Sequence, residues 1–320
     1  MGDKMCKISI IMPVYNASKF VESSLQSIRN QTLKDIEIIC VDDGSKDDSA
    51  DIIKKEQIKD KRIKYEYQDN QGAGSARNRG ILHSRGEYLA FMDADDEYPD
   101  IYALQRLYDA ATKNKALLCG GSVCGIDKEV CNDAKRIFKT EGFVQFSDYQ
   151  FDFFFWRFIF KRSFIIENNI LFPILRVYED PIFLINALIL GQQFYAIRES
   201  VYQYNGAHQV NAMHLEKVED YLIGLTEVLN ISCKYHLKNL HKLTWTRLEK
   251  EGCYYAEKYL YEKNKRIFSL LLQANNAIDR KLIDLDENYV LPALMSLLNA
   301  GSKYMKIRNM KLIKLLSHLF

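Results

Sequence analysis

Hydrophobic residues gather into short runs in the first third of the chain, and each run ends in a cluster of polar or turn-forming residues. Ile8-Ser9-Ile10-Ile11-Met12 stops at Pro13. Ile36-Glu37-Ile38-Ile39-Cys40-Val41 stops at Asp42-Asp43-Gly44-Ser45, and Tyr88-Leu89-Ala90-Phe91-Met92 stops at Asp93-Ala94-Asp95-Asp96. Runs of this length, bounded by turn signals, read as buried strands. After the first, Val21, Leu25 and Ile28 recur at helical spacing, with Ser18 placed to cap that helix. Gly72 to Gly80 forms a glycine-rich entry to another helix. Strands alternating with helices predict a parallel α/β sheet, which binds ligands at the carboxyl ends of its strands. Pro13, Asp42 and Asp93 all stand at such ends.

Beyond about residue 212 the pattern changes. Glycines become few, one proline remains, and Tyr221, Leu225 and Val228 repeat at helical spacing. Residues 247 to 273 also read as helix and carry Tyr254, Tyr255, Tyr259 and Tyr261, which suit helix packing better than a sugar platform. The predicted division is an α/β domain over residues 1–212 and a helical C-terminal extension over 213–320.

Composition narrows the function classes. Apolar residues make up 48% of the chain, enough for a globular core, and a net charge of +2 gives no electrostatic case for a nucleic-acid partner. The seven cysteines contain no Cys-x-x-Cys pair and lie in buried-looking segments, as expected of reduced thiols in a cytoplasmic protein. Met1 to Lys7 is too short and polar for a secretory leader, and no apolar run reaches the length of a membrane span.

Candidate chemistry centres on Asp93, Asp95 and Asp96. Carboxylates brought together at the end of a buried strand repel one another unless a cation shares the charge. Their hard oxygens suit Mg²⁺ or Mn²⁺, ions that complete their shells with substrate phosphates. A solvated acidic turn capping a helix near Pro99 would use the same residues. The Gly72–Gly80 segment is not a dinucleotide fingerprint: Arg77 replaces the third glycine, and the segment follows the third strand rather than the first.

Taken together, IIMPVYNASKFVESSLQSIRNQT, VDDGSKDDS, GAGSARNRG and FMDADDEY, followed by WRFIFKRSFIIENNILF and YEDPIF, resemble the family 2 glycosyltransferases of the GT-A fold. This bacterial group builds surface polysaccharides. The likeness covers about residues 7 to 185, in family order and spacing, and stops near residue 212. It implies a nucleotide-sugar-binding domain with a mostly parallel central sheet. It also implies inverting, metal-dependent transfer of a hexose or N-acetylhexosamine from a UDP-sugar to a hydroxyl of a glycan or lipid-linked glycan.

The resemblance distributes roles over this chain. Backbone at Pro13 and Val14 would line the base, and Asp42 or Asp43 would accept the uracil imide N–H. Arg77 would reach the diphosphate. Asp93 and Asp95 would form the motif for Mn²⁺ or Mg²⁺, with Asp95 the direct ligand and Asp93 holding the ribose or the metal's water. Asp96 would stand behind the metal ligands or touch the acceptor, and His208 is a candidate extra ligand. Asp180 would be the base, with Glu179 supporting the site or contacting the acceptor. Simpler readings stand beside these. Asp43-Gly44-Ser45 is also an ordinary turn, and Glu179-Asp180-Pro181 also suits a bare helix start.

One departure stands out. Where the family often has Trp-x-Lys-Leu-Tyr-Lys, this chain has Trp156-Arg157-Phe158-Ile159-Phe160-Lys161, which puts the acceptor-side contacts in doubt. Trp156 fits sugar stacking and packing equally well. Residues 303–316 carry five Lys or Arg and no acid. This amphipathic pattern suits an anionic membrane surface contacted through 303–320, at the inner face of the cell membrane. It suits equally well packing on the catalytic domain or on a homodimer mate. Two rival functions remain. A sugar nucleotidyltransferase would want a glycine-rich loop where Met12-Pro13-Val14-Tyr15-Asn16 stands. A non-catalytic nucleotide-sugar-binding partner of another transferase would bind UDP without turnover.

Overall fold

The computed structural model describes residues 6–125, 136–205 and 213–301. Its strands are β1 (Ile8–Val14), β2 (Ile36–Asp42), β3 (Ile63–Tyr67), β4 (Tyr88–Phe91), β5 (Leu118–Cys124), β6 (Gly142–Gln145), β7 (Phe158–Lys161) and β8 (Gln193–Gln203). They form one sheet in the order β3-β2-β1-β4-β7-β5-β8-β6. β1 lies parallel to both β2 and β4, with Ile8 opposite Ile36 and Tyr88. All seven residues of β2 are buried, as in a strand covered on both faces.

β7 runs antiparallel to β4 and to β5, and β5 runs parallel to β8. The two reversals around β7 cancel. β8 therefore points the same way as β4, and its end at Gln203 shares the sheet edge with Val14, Asp42 and Phe91.

The helices of this unit are α1 (Val21–Arg29), α2 (Ser49–Lys59), α3 (Ala73–His83), α4 (Ala103–Lys113), α5 (Phe146–Tyr149), α6 (Arg162–Glu167) and α7 (Glu179–Gly191). α3 packs on β1 and β2 and α4 on β5 and β8, and α3 carries Arg77 to the functional edge. Ser18 does not cap α1. Phe20 is the N-cap residue, the amides of Phe20 and Val21 donate to the Ala17 carbonyl, and the Ser18 amide donates to Asp47. The acidic turn does not cap a helix near Pro99 either, because α4 starts at Ala103.

A second compact unit contains Leu175–Tyr178 and the helices α8 (Leu215–Lys234), α9 (Lys238–Arg247), α10 (Cys253–Tyr261), α11 (Lys265–Ala277) and α12 (Pro292–Gly301). The stretch expected as one helix over 247–273 is interrupted. A π-helical turn spans Leu248–Gly252, Lys263 takes a left-handed φ of 58°, and the Asn264 side chain accepts the Ile267 amide at the start of α11. A left-handed residue followed by an Asn cap ends one helix and starts the next. The tyrosines divide between packing and exposure. Tyr259 is buried, whereas Tyr254 and Tyr261 are 72% and 68% exposed, beside a cavity of about 470 Å³. No described helix is long and apolar enough to cross a membrane. The basic segment 303–316 lies outside the described residues.

His241 ties the helical unit together. It is fully buried, its Nδ1 lies 2.8 Å from the Ser232 hydroxyl, and its Nε2 accepts the Asp279 amide at 2.9 Å. Ser232 donates to the Leu229 carbonyl, so Nδ1 carries the proton and the ring is neutral. Burial pulls its pKa below the ordinary histidine value, opposed by the Asp279 carboxylate. The unfolded chain therefore takes up the proton more readily than the folded one. The resulting stability is present above a pH of about 6.5 and is lost as the pH falls below it. The thermal midpoint of this unit is expected to drop between pH 7 and pH 5, and the slope should flatten in His241→Gln. An unchanged slope in the variant refutes this role.

Candidate functional site

The sheet edge assembles residues from five strands and loops. At β1 and β2, Val14 pairs with Asp42, and the Asp43 amide donates to the Val14 carbonyl at 2.8 Å. Pro13 and Val14 therefore sit beside the aspartate pair, and Asp42 and Asp43 are 1% and 3% exposed. Asp42 accepts the Ser45 amide and the Tyr65 hydroxyl, each at 2.8 Å. Asp43 accepts the side-chain amide of Gln68 and the backbone amides of Gln71 and Gly72, all at 2.8 Å. Gly44 holds a φ of +76°, with Asn70 so close that a Cβ there would lie 3.0 Å from its amide nitrogen. The simple turn reading is thus realised, and Asp43 goes further by securing the entry to α3.

That entry aims Arg77 at the other carboxylates. Arg77 is 5% exposed; its Nη2 donates to Asp93 at 2.8 Å and its Nη1 to Glu179 at 2.6 Å. The guanidinium lies over the rings of Phe155 and Phe172, at 4.8 and 5.3 Å. Phe172 stacks in turn on Phe183 of α7, at 4.0 Å and nearly parallel. The close approach leaves little room at position 74: a Cβ there would meet the Pro173 carbonyl at 3.0 Å and the Glu179 side chain at 3.1 Å. Sequence reading assigned Arg77 to a diphosphate; in this structure both of its terminal nitrogens are engaged by carboxylates. Burial opposes its charge, but Asp93, Glu179 and Asp180 outweigh that and raise its pKa.

Asp180 lies half-buried in the first turn of α7. Desolvation and then the neighbouring Glu179 push its pKa well above the usual carboxylate range; Arg77 opposes them and Asp93 adds to them. Proton affinity raised at a carboxyl group suits proton acceptance.

The carboxylate turn after β4 is held by its own backbone and by β8. The Asp96 amide donates to the Asp93 carbonyl at 3.1 Å, and Ser24 of α1 donates to the Ala94 carbonyl at 2.9 Å. Asp96 is fully buried, accepting the Tyr202 hydroxyl and the Asn205 amide, both at 2.7 Å. Its pKa is pushed up to about 8, first by burial and then by Asp93. Asp93 and Asp95 remain half-buried.

No three His, Cys, Asp or Glu side chains converge into a metal cluster among the described residues. The donor set nevertheless fits an ion shared with a substrate, since Mg²⁺ and Mn²⁺ are commonly held by one or two carboxylates together with phosphates and water. His208 lies outside the described residues.

On the acceptor side, Arg157 is fully buried. Its Nε donates to the Gly121 carbonyl at 2.6 Å, its Nη2 donates to the Arg136 carbonyl at 3.3 Å, and its guanidinium lies 3.8 Å from the Phe138 ring centroid. Burial lowers its pKa to about 10. The departure from the family pattern at this position therefore serves the interior. Trp156 stacks on Tyr202 at 4.0 Å and on Tyr204 at 5.7 Å, which settles it as a packing residue. Sequence reasoning missed Tyr202, Phe155 and Phe172, which carry no local signal of a site.

Three comparisons place this geometry among known proteins. The family model described as Glycosyl transferase family 2 matches residues 9–179. EpsH of Bacillus subtilis, a glycosyltransferase by assignment only, is 28% identical over 96% of this chain and 82% of its own length. The GalNAc(5)-diNAcBac-PP-undecaprenol beta-1,3-glucosyltransferase of Campylobacter jejuni is 35% identical over 52% of this chain and 54% of its own. Among solved structures, S. aureus TarS 1–349 in complex with UDP-GlcNAc aligns with a TM-score of 0.71 at 20% identity, over 92% of this chain and 87% of that one.

Proposed function

The chain belongs to glycosyl transferase family 2, and we propose that it performs inverting transfer of a hexose or N-acetylhexosamine from a UDP-sugar to a hydroxyl of a glycan or lipid-linked glycan. The observation that carries this reading is the Arg77 clasp. One guanidinium joins Asp93, at the end of a donor-side strand, to Glu179, which lies 102 residues beyond Arg77 at the head of the acceptor-side helix. The UDP-GlcNAc held by TarS supports a UDP-linked donor. The undecaprenol-linked substrate in the name of the Campylobacter relative supports a lipid-linked acceptor in surface-polysaccharide assembly.

In the proposed reaction the acceptor oxygen attacks the anomeric carbon as the bond from that carbon to the diphosphate oxygen breaks. A single displacement from the opposite face inverts the configuration. Asp180 takes the acceptor proton, and Glu179 keeps Arg77 beside it. Asp42 or Asp43, with the backbone at Pro13 and Val14, recognises the uracil. Asp93 and Asp95 would hold Mn²⁺ or Mg²⁺, which, when bound, supplies charge neutralisation on the leaving diphosphate.

Calorimetry with Mn²⁺ is the test of the donor side. UDP is expected to bind more tightly than GDP or ADP, and a panel of nucleotide sugars should show slow hydrolysis of UDP-sugars without any acceptor. Equal affinity for the three nucleotides removes the base-recognition role, and UDP binding with neither hydrolysis nor transfer of any sugar overturns the enzymatic assignment of this site.

A further inference from the structure

We propose that Tyr202 is a positioning residue for the donor-side carboxylate turn, acting through its hydroxyl on Asp93 and Asp96. This inference rests on the donor-site reading above and extends it to a residue 109 positions beyond Asp93 in the chain. The Tyr202 hydroxyl accepts the Asp93 backbone amide at 3.1 Å and donates to Asp96 Oδ2 at 2.7 Å. A phenol has both capacities, and this one uses both on the two ends of the same tetrapeptide.

The neighbouring backbone repeats the attachment. Glu97 and Gln203 exchange amide-to-carbonyl bonds at 3.2 and 2.8 Å, and the Asn205 amide donates to Asp96 Oδ1 at 2.7 Å. The end of β8 is thus stitched to the turn at Asp93, Asp96 and Glu97. The phenol ring cannot swing away. Trp156 stacks on it at 4.0 Å, Tyr98 meets it edge-on at 6.5 Å, and Tyr202 is fully buried.

Asp93 is consequently fixed twice. Arg77 holds its carboxylate from the α3 side, and Tyr202 holds its amide from the β8 side. An aspartate that must meet a phosphate-bound ion needs its backbone placed as firmly as its side chain, because partners behind a ligand govern its orientation. Misplacement on the scale of an ångström is enough to cost a site most of its effect.

Tyr202→Phe tests this directly, since it keeps the stacked ring and removes only the hydroxyl. Tyr88→Phe is the control: it deletes another buried hydroxyl of the same sheet, one that donates to the Ala116 carbonyl at 3.0 Å near the opposite end of β4. Calorimetric titration of UDP with Mn²⁺ and Mn²⁺ electron paramagnetic resonance report on the turn without requiring turnover. Tyr202→Phe is expected to weaken Mn²⁺-dependent UDP binding by about 10- to 100-fold, while Tyr88→Phe binds as the wild type does at a comparable loss of thermal midpoint. Wild-type affinity in Tyr202→Phe, or an equal loss in Tyr88→Phe, overturns the proposal. If Tyr202→Phe does not fold, amide hydrogen exchange on the wild-type protein replaces it: an Asp93 amide that is protected, and more so with UDP and Mn²⁺, supports the proposal, and an unprotected one overturns it. Failure of the wild-type protein to bind UDP overturns the donor-site reading itself and the role of Tyr202 with it, an outcome distinct from a variant that binds normally.

Discussion

Asp180→Asn is expected to lower kcat by about 10²- to 10⁴-fold, the range ascribed to a positioned general base, with UDP affinity unchanged. Asparagine keeps the shape of the side chain and removes its capacity to take a proton. The pH dependence adds a second signature. Burial and Glu179 raise the proton affinity of Asp180, while Arg77 and Asp93 act on it with opposite signs. The active form is the deprotonated one, so kcat should rise with pH through a midpoint above the usual carboxylate range and level off beyond it. Steady-state rates across pH, measured once a donor is identified, check both points. A variant that keeps full kcat removes Asp180 as the base. An acid limb at an ordinary carboxylate pKa removes the argument from burial.

Arg77→Ala is expected to carry the largest stability cost. It removes the cation between Asp93 and Glu179, whose side chains are 31% and 10% exposed, and leaves Asp180 without its principal opposing charge. Breaking a buried pair by removing one partner costs about 3–5 kcal/mol, because the remaining charge stays buried and uncompensated. Against a total of about 5–15 kcal/mol for a native protein, that is a substantial fraction. Chemical denaturation of the two variants checks it. Arg77→Lys should recover part of the loss, because it restores the charge and not the fork that spans both carboxylates. If Arg77→Ala unfolds at the wild-type denaturant midpoint, the clasp contributes no stability.

Much of the donor side was legible from local chemistry. Strand ends at Pro13, Asp42 and Asp93 are announced by apolar runs that stop at carboxylates or proline, because a buried strand gives way to polar or turn-forming residues where the chain reverses. The acidic pair at Glu179-Asp180 is equally local, because helix starts favour acids and Pro181. Ser18 failed as a cap because Ala17 offers its carbonyl to the next turn first, and capping depends on a hydroxyl's final direction, which spacing does not encode. The break in 247–273 failed for a similar reason: Lys263 adopts a conformation that its residue type does not advertise.

What the sequence by itself determined is therefore the set of strand and helix periods, the class of fold and the carboxylates that end the strands. The partners were decided by the tertiary structure. Arg77 was recognisable as a cation near the site, but its selection of Glu179 depends on α3 and α7 meeting across the sheet edge through Gly74. Arg157 looked like a charge on the acceptor side, and became an interior residue because the Gly121 and Arg136 carbonyls and the Phe138 ring receive it. Tyr202 carried no signal at all, since its role exists only where the two reversals around β7 return β8 to the edge that bears Asp93 and Asp96. Periodicity is a property of neighbours in the chain, whereas hydrogen-bond and ion-pair choice belongs to neighbours in space, and only folding makes those neighbours.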